Sequence, residues 1–402
     1  MFFNPFSGGV HMNQQMRYLD FPIEEMNLRI AKAKEYLAEA GMNGMVVTAA
    51  ANHFYFSGFR KLDDWATFTR TVFVFIPVEK DPVIYVQNFG EAEALSRSAV
   101  QDVRCYDTVM GGPVDGVVEI LKELGMGTGK VGWELGYEQR MDFAVNDWLA
   151  VKDKLPDAEF VDASSIIWKC RMIKMPKEIE YMRTANDIAG RSFDRVFEEI
   201  REGMTEKEVE RKLVAIMAEE GAEKPGFIIV ISGPDNYERI SARPSSKRLE
   251  KGDLVWIDAG VNYYGYWTDY CRAGVVGGAT PEQRRLQSII HEVTMKGVQS
   301  VAPGVPVADM YNVCGREMIK HDLPWSFDCG RAGHGVGLQL TEPPSIATVD
   351  NSLLQPGMII TCEPGYINDL GCFDIEENIL VTEDGYEVLS SGRRELHNIA
   401  LA

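Results

Sequence analysis

The 402-residue chain lacks several things that would have placed it quickly. Its seven cysteines, at 105, 170, 271, 314, 329, 362 and 372, are scattered and include no Cys-x-x-Cys pair. That speaks against a disulfide framework or a thiolate zinc site, and a reducing cytoplasm is the expected setting. No stretch approaches the ~18 uninterrupted apolar residues of a membrane-spanning helix. The opening MFFNPFSGGVHM has neither the basic start nor the apolar length of a secretion signal, so residues 1–19 read as a poorly ordered leader. Positive charge is also short: 41 Lys and Arg face 60 Asp and Glu, a net charge of −19. The excess of cations that neutralises phosphates is missing, so neither nucleic acid nor an anionic membrane is an expected partner. The acidic balance fits solubility, and it also suits a substrate carrying positive charge. No fixed-period repeat and no low-complexity segment occurs.

What is present divides into two halves. Residues 20–170 alternate short β-type runs (44–48, 71–76, 82–86, 130–135, 158–161) with helical patterns (22–40, 114–124, 139–151), the signature of a small α/β domain with a largely buried sheet. In the first helix Leu28, Ile30, Ala33 and Leu37 are the expected apolar face. The run Gly125-Met-Gly-Thr-Gly-Lys130 is no phosphate loop, because its spacing is wrong and Val131 stands where a Ser or Thr is needed. Around 171–183 the pattern changes. Pro176 can open a long amphipathic helix closed by Gly203; Thr205 with Glu208, and Thr280 with Gln283, form capping boxes for helices reaching 220 and 301; a further helix is expected over 308–319. Strand-rich pieces at 226–232, 254–276 and 358–389 complete an expected α+β domain over 171–402.

Three pieces of this second domain carry polar residues that a core would not choose. Asp258 and Asp269 sit on a predicted hairpin among Val, Trp, Ile and Tyr, where an ionised carboxylate is costly unless paired or bound to a cation. His334 lies in the run Gly330-Arg-Ala-Gly-His-Gly-Val-Gly337, whose glycines let backbone close in around the ring. Glu363 (in Glu-Pro-Gly) and Glu376 or Glu377 (in Phe-Asp-Ile-Glu-Glu-Asn) lie on a second predicted hairpin. Four carboxylates and one imidazole suit a divalent ion such as Mn, Fe, Co or Zn, and two ions sharing carboxylates suit them better than one.

In order and spacing, Asp258, Asp269, Gly-His334-Gly-Val-Gly, Glu363-Pro-Gly and Ile-Glu376 resemble the pita-bread metallopeptidases, a family holding aminopeptidase P, prolidase (Xaa-Pro dipeptidase), methionine aminopeptidase and the metal-free creatinase. The boundary motif MIKMPKEIEYMR and the N-terminal α/β half are similar to the aminopeptidase P, prolidase and creatinase branch. The resemblance implies a pita-bread catalytic domain behind a smaller creatinase-like domain, a homodimer, and two divalent ions held by Asp258, Asp269, His334, Glu363 and Glu376. Asp269 and Glu376 would bridge the ions, and Glu377 is the competing assignment for the last ligand. A bridging hydroxide would then cleave a C–N bond in a dipeptide or other small substrate, with Glu363 shuttling the proton.

The substrate side departs from that pattern. Peptidases of the branch carry histidines where this chain has Ser241, Thr341 and, for aminopeptidase P, Gly330, and an Arg where it has Asp374. Asp374 therefore either faces a cationic group of the substrate or pairs with Arg331 or Arg243. Ser241, Thr341, Asp374, Arg331 and Trp65 are the candidate substrate contacts. Arg60, Asp63, Asp64 and Trp65 are where a partner subunit's site would be reached. Tyr263, Tyr264, Tyr266, Trp267 and Trp325 are either a pocket wall or core. The leading expectation is an Xaa-Pro dipeptidase-like hydrolase. The alternative is a non-peptidase of the fold, such as an ectoine-hydrolase-like or creatinase-like amidohydrolase or a lyase, although Leu340 replaces the Asp that the lyase would need. A non-catalytic binding module is opposed by the intact ligand set.

Overall fold

The computed structural model describes residues 18–61, 70–325 and 330–402; residues 1–17, together with Asp63, Asp64 and Trp65, lie outside the described residues. The chain divides after Cys170 into two compact units.

The first unit is a six-stranded mixed sheet in the order β4-β3-β2-β1-β5-β6. Its strands are β1 (Gly44–Val47), β2 (Phe73–Pro77), β3 (Val83–Gln87), β4 (Asp102–Tyr106), β5 (Gly129–Trp133) and β6 (Ala158–Asp162). Six helices accompany it: α1 (Ile23–Glu39), α2 (Ala50–Ser57), α3 (Glu91–Arg97), α4 (Val114–Glu123), α5 (Val145–Asp153) and α6 (Ser164–Met172), which runs across the division. Strands β1 to β3 are buried throughout, so they read as unbroken apolar runs, with α4 and α5 packing on the sheet through Val117, Leu121 and Val151. Two expectations change here. Leu28 is exposed on α1, and the residue turned inward beside it is Arg29. Its guanidinium lies 4.1 Å from the Phe21 ring centre and 4.4 Å from that of Tyr55, and it donates to the Tyr55 carbonyl at 3.0 Å, so aromatic faces take the place of solvent. Helix α2, unforeseen because Ala-Ala-Asn-His-Phe-Tyr-Phe-Ser carries no 3.6-residue polarity, is buried on nearly every side.

The second unit is built on two five-stranded sheets. Its strands are β7 (Lys224–Ser232), β8 (Leu254–Tyr263), β9 (Tyr266–Trp267), β10 (Cys271–Val276), β11 (His334–Gly335), β12 (Glu342–Ser345), β13 (Ile359–Cys362), β14 (Gly365–Asn368), β15 (Gly371–Asp374), β16 (Glu377–Val381), β17 (Tyr386–Val388) and β18 (His397–Ile399). One sheet runs β18-β10-β8-β7 with β9 beside β8, the other β12-β11-β13-β16-β17; β14 and β15 form a separate ribbon. The helices are α7 (Pro176–Glu199), α8 (Glu206–Glu220), α9 (Pro281–Gln299) and α10 (Val307–Lys320). Both expected capping boxes form, Thr205 with Glu208 and Thr280 with Gln283. The two-residue period of a strand decides what β8 presents to each side. Val255, Ile257, Ala259 and Val261 join the core made with α7 and α8, whereas Leu254 and Trp256 join the core made with α9 and α10. The architecture is the expected one, an α/β unit followed by an α+β unit of sheets and helix pairs.

The first unit contains one carboxylate whose titration is felt in folding. Glu134, buried just past β5, accepts from the Thr48 amide and hydroxyl at 2.8 Å, from the Ala49 amide at 3.1 Å and from Asn52 Nδ2 at 2.6 Å. Burial outweighs these four donors and pushes its pKa from 4.5 up to about 7. The folded state therefore binds a proton that the unfolded chain has released, and stability is lost as pH rises from about 4.5 through 7, a loss of about 3 kcal/mol. Denaturant titrations of wild type and Glu134→Gln at pH 5 and pH 8 are expected to show the wild-type loss and a flatter variant.

Candidate metal centre

Asp258 shares its face of β8 with Trp256 and Leu254. Antiparallel register sets Cys271 on β10 directly across from it, so the two side chains project to the same side. Asp269 lies two residues earlier, in the segment between β9 and β10 rather than on a strand. The other sheet supplies the remaining groups. His334 opens β11, which pairs with β12 and β13; Glu363 follows the end of β13, and Glu376 precedes β16. The glycines beside His334 are required by close approach. A Cβ at Gly333 would meet the Thr361 carbonyl oxygen at 2.1 Å, and one at Gly335 would meet that of Pro343 at 2.2 Å.

These side chains converge. His334 Nε2 lies 3.3 Å from Asp269 Oδ2 and 3.8 Å from Glu363 Oε1. His334 Nδ1 is 2.9 Å from the Gly335 carbonyl; donation there leaves Nε2 as the lone-pair nitrogen facing the carboxylates. Donor atoms of Asp269, His334 and Glu376 all fall within 4.8 Å of one another, and so do those of Asp258, Cys271 and Glu376. Asp258 Oδ1, Asp374 Oδ1 and Glu376 Oε1 are buried without a hydrogen-bond partner.

The electrostatics are those of crowded, desolvated anions. Burial first, then the charges of Asp269, Glu363 and Asp374, raises Asp258 well above the carboxylate range. Glu376 and Asp374 are raised well above it too, by burial and then by their acidic neighbours. Burial also raises Glu363, against the pull of His334 and Arg331. Burial alone would lower His334, but Asp269 and Glu363 outweigh it and leave the imidazole raised. Cys271 is held well above the usual thiol range by burial and then by Asp258, Asp374 and Glu376. Buried carboxylate oxygens with no donor to satisfy them are what a divalent cation takes up, so the residues present fit a metal centre.

Around the cluster stands a shell of ion pairs joining residues distant in sequence. Glu377 is fully buried and held by Arg394 at 2.7 and 2.8 Å and by Arg272 at 3.3 Å. Arg272 also donates to the Glu376 carbonyl at 2.9 Å, fixing the backbone that aims Glu376. Asn378 brackets Asp269, donating to its carbonyl and accepting from its amide. Glu342, 2% exposed, pairs with Arg171 and, at 3.2 Å, with Lys174, and accepts from the Gln339 amide at 3.0 Å. It thereby ties down the segment leaving His334.

Residues 180–383 match the model of metallopeptidase family M24, and residues 29–173 that of the creatinase/prolidase N-terminal domain. The chain belongs to metallopeptidase family M24. A relative from Pyrococcus furiosus named Xaa-Pro dipeptidase is 32% identical over 373 residues, spanning 92% of this chain and all of the relative. Among solved structures, the Pyrococcus horikoshii prolidase aligns with a TM-score of 0.79 at 29% identity, covering 92% of this chain and 100% of that one. Recombinant prolidase from Thermococcus sibiricus aligns with a TM-score of 0.82 at 27% identity over 94% and 99%. As an M24 metallopeptidase the protein is a hydrolase working through divalent metal ions, and the resemblance read from the ligand motifs holds.

The outer positions of this M24 chain are less gathered. Arg331 stands close enough to act on both His334 and Glu363. Asp374 is 6% exposed and makes no ion pair among the described residues, with Arg331 or otherwise; it interacts with the acidic cluster and Cys271, and the Arg272 charge acts on it from further off. Ser241 is exposed and Thr341 half-buried, and neither hydrogen-bonds to the cluster among the described residues; Gly330 is exposed. The tyrosines pack against α7. Tyr264 stacks on Tyr181 with ring centres 4.5 Å apart, Tyr263 meets the same ring edge-on, and buried Tyr266 donates to Glu178 at 2.7 Å. Trp325 packs edge-on against Tyr311 at 4.9 Å. Cys271, Asn378 and the Arg171–Glu342 pair escaped sequence reasoning, although their places beside motif residues were visible.

Removing one partner of a buried ion pair strands the other charge, which costs about 3–5 kcal/mol. Because Lys174 also pairs with Glu342, the double variant Arg171→Ala/Lys174→Ala should lower the unfolding free energy by at least that amount, and a loss below about 1 kcal/mol would show that water reaches Glu342.

Proposed function

We propose that this M24 metallopeptidase is an Xaa-Pro dipeptidase whose two divalent ions are held by Asp258, Asp269, His334, Glu363 and Glu376, with Asp269 and Glu376 shared between them. The observation that carries the reading is the pair of three-donor groups having Glu376 in common, with its Oε1 orphaned at full burial. Support for Glu376 over Glu377 comes from the two arginines that already occupy Glu377. Manganese, cobalt, iron(II) and zinc all suit this oxygen and nitrogen set. When bound, such ions supply an activated water and polarise the scissile carbonyl.

The chain's own residues do the rest. Glu363 keeps solvent contact, its side chain 19% exposed against 4% for His334 and 7% for Asp269. It is therefore the carboxylate positioned to take a proton from an incoming water and pass it to the departing nitrogen. His334, with Nδ1 committed to the Gly335 carbonyl, holds Nε2 in place without reorganisation. Asp374, buried and in no ion pair among the described residues, receives the free ammonium of the dipeptide, and Arg331 is the contact for its carboxylate end. A homodimer acting in the cytoplasm completes the proposal; six free thiols among the described residues support the compartment.

The deciding experiment supplies metal-stripped protein with manganese, cobalt, iron(II) or zinc in turn and assays Gly-Pro and Ala-Pro. Metal-dependent cleavage is expected. Metal binding without cleavage of either peptide would overturn the dipeptidase reading and direct the search to cationic amides. Asp269→Ala and Glu376→Ala are each expected to abolish turnover and to lower the bound metal measured by mass spectrometry; full occupancy in either would refute a shared ligand. Asp374→Asn is expected to raise KM about 10- to 100-fold, the worth of one charged hydrogen bond, with a smaller effect on kcat. An unchanged KM would place the ammonium elsewhere.

A further inference from the structure

One donor in the cluster differs in kind from the rest. Cys271 is 1% exposed, and its sulfur lies 3.5 Å from Glu376 Oε2. Register on β8 and β10 puts it opposite Asp258. Together Asp258, Cys271 and Glu376 present one oxygen, one sulfur and one oxygen within 4.8 Å of one another. A buried cysteine ordinarily behaves as a small apolar residue and sits among others of the same kind. This one faces Asp258, Asp374 and Glu376, while Glu376 Oε1 and Asp258 Oδ1 stand buried without a hydrogen-bond partner. Unsatisfied carboxylate oxygens converging with a sulfur at one point make a mixed oxygen and sulfur donor set.

We propose that Cys271 is a metal donor of this centre, its sulfur joining Asp258 and the shared Asp269 and Glu376 at one ion while His334 and Glu363 complete the other. The inference rests on the dinuclear reading given above and deepens it. Binding converts the thiol to a thiolate, with its proton leaving to solvent, as for any cysteine ligand. The two positions then differ chemically. One is an oxygen and nitrogen site open to hard and borderline ions alike. The other includes a soft sulfur, which discriminates against manganese and favours zinc, cobalt or iron(II).

Cobalt(II) reports the sulfur directly. Metal-stripped protein loaded with cobalt is expected to bind two ions and to show a sulfur-to-cobalt charge-transfer absorption in the near ultraviolet. That band should vanish in Cys271→Ser and persist in Cys372→Ser, which removes a neighbouring thiol outside the donor group. Dialysis against equal zinc and manganese should leave wild type carrying zinc at one position, and the zinc-to-manganese ratio there should fall at least tenfold in Cys271→Ser. X-ray absorption of the zinc-loaded wild type needs no variant and should detect a sulfur neighbour at about 2.3 Å, so a Cys271→Ser that fails to fold does not protect the idea. Two bound cobalt ions without the band, a zinc shell of nitrogen and oxygen only, or an unchanged metal ratio would each overturn the sulfur donor and leave the dipeptidase reading standing. Failure of wild type to bind cobalt at all would overturn both.

Discussion

Five carboxylates, Asp258, Asp269, Glu363, Asp374 and Glu376, are drawn into one desolvated place with one imidazole among them, and the rest of the second unit is arranged around that cost. Like charges in a region of low dielectric repel strongly. The chain answers with the pKa values of Asp258, Glu363, Asp374 and Glu376 pushed upward and with oxygens that have no protein donor. Such an arrangement has a high energy by itself and a low one once divalent charge is supplied, so the repulsion and the catalytic competence are one property.

Holding repelling groups together requires rigid supports, and the protein places its buried cations there. Arg272 and Arg394 neutralise Glu377, so that the acidic residue next to Glu376 adds no further charge to the cluster. Arg171 and Lys174 do the same for Glu342 in the segment leaving His334. These pairs are weak evidence for net stability, because desolvation consumes much of their attraction. Their value lies in geometry, fixing the backbone at Glu376 and beyond His334 in one position.

The residues of the cluster were legible in the sequence because each is an acid or imidazole embedded in apolar or glycine-rich strand sequence, a conflict between burial and charge that local reading can detect. Helix ends were legible for the same local reason, as at Thr205 and Thr280. What escaped depends on partners far along the chain. Arg29 is buried through the rings of Phe21 and Tyr55, which α1's own sequence does not announce, and α2 has no polar face to give it periodicity. The pairing of Glu377 with Arg272 and Arg394, and of the tyrosines at 263, 264 and 266 with Tyr181 and Glu178 of α7, joins residues far apart in the chain. Cys271 is one of seven scattered cysteines in the sequence, and only cross-strand register puts it beside Asp258.

The donors also divide between two sheets. Asp258 and Cys271 hang from β8 and β10, with Asp269 just ahead of β10, while His334, Glu363 and Glu376 come from β11 and from the ends of β13 and β16. Bound ions would therefore be rivets between two separately hydrogen-bonded plates. Stripping them would do more than silence a reaction: the seam between the plates would be the first part of the fold to breathe, and amide hydrogens along β10 and β13 would exchange sooner than those of the helices behind them.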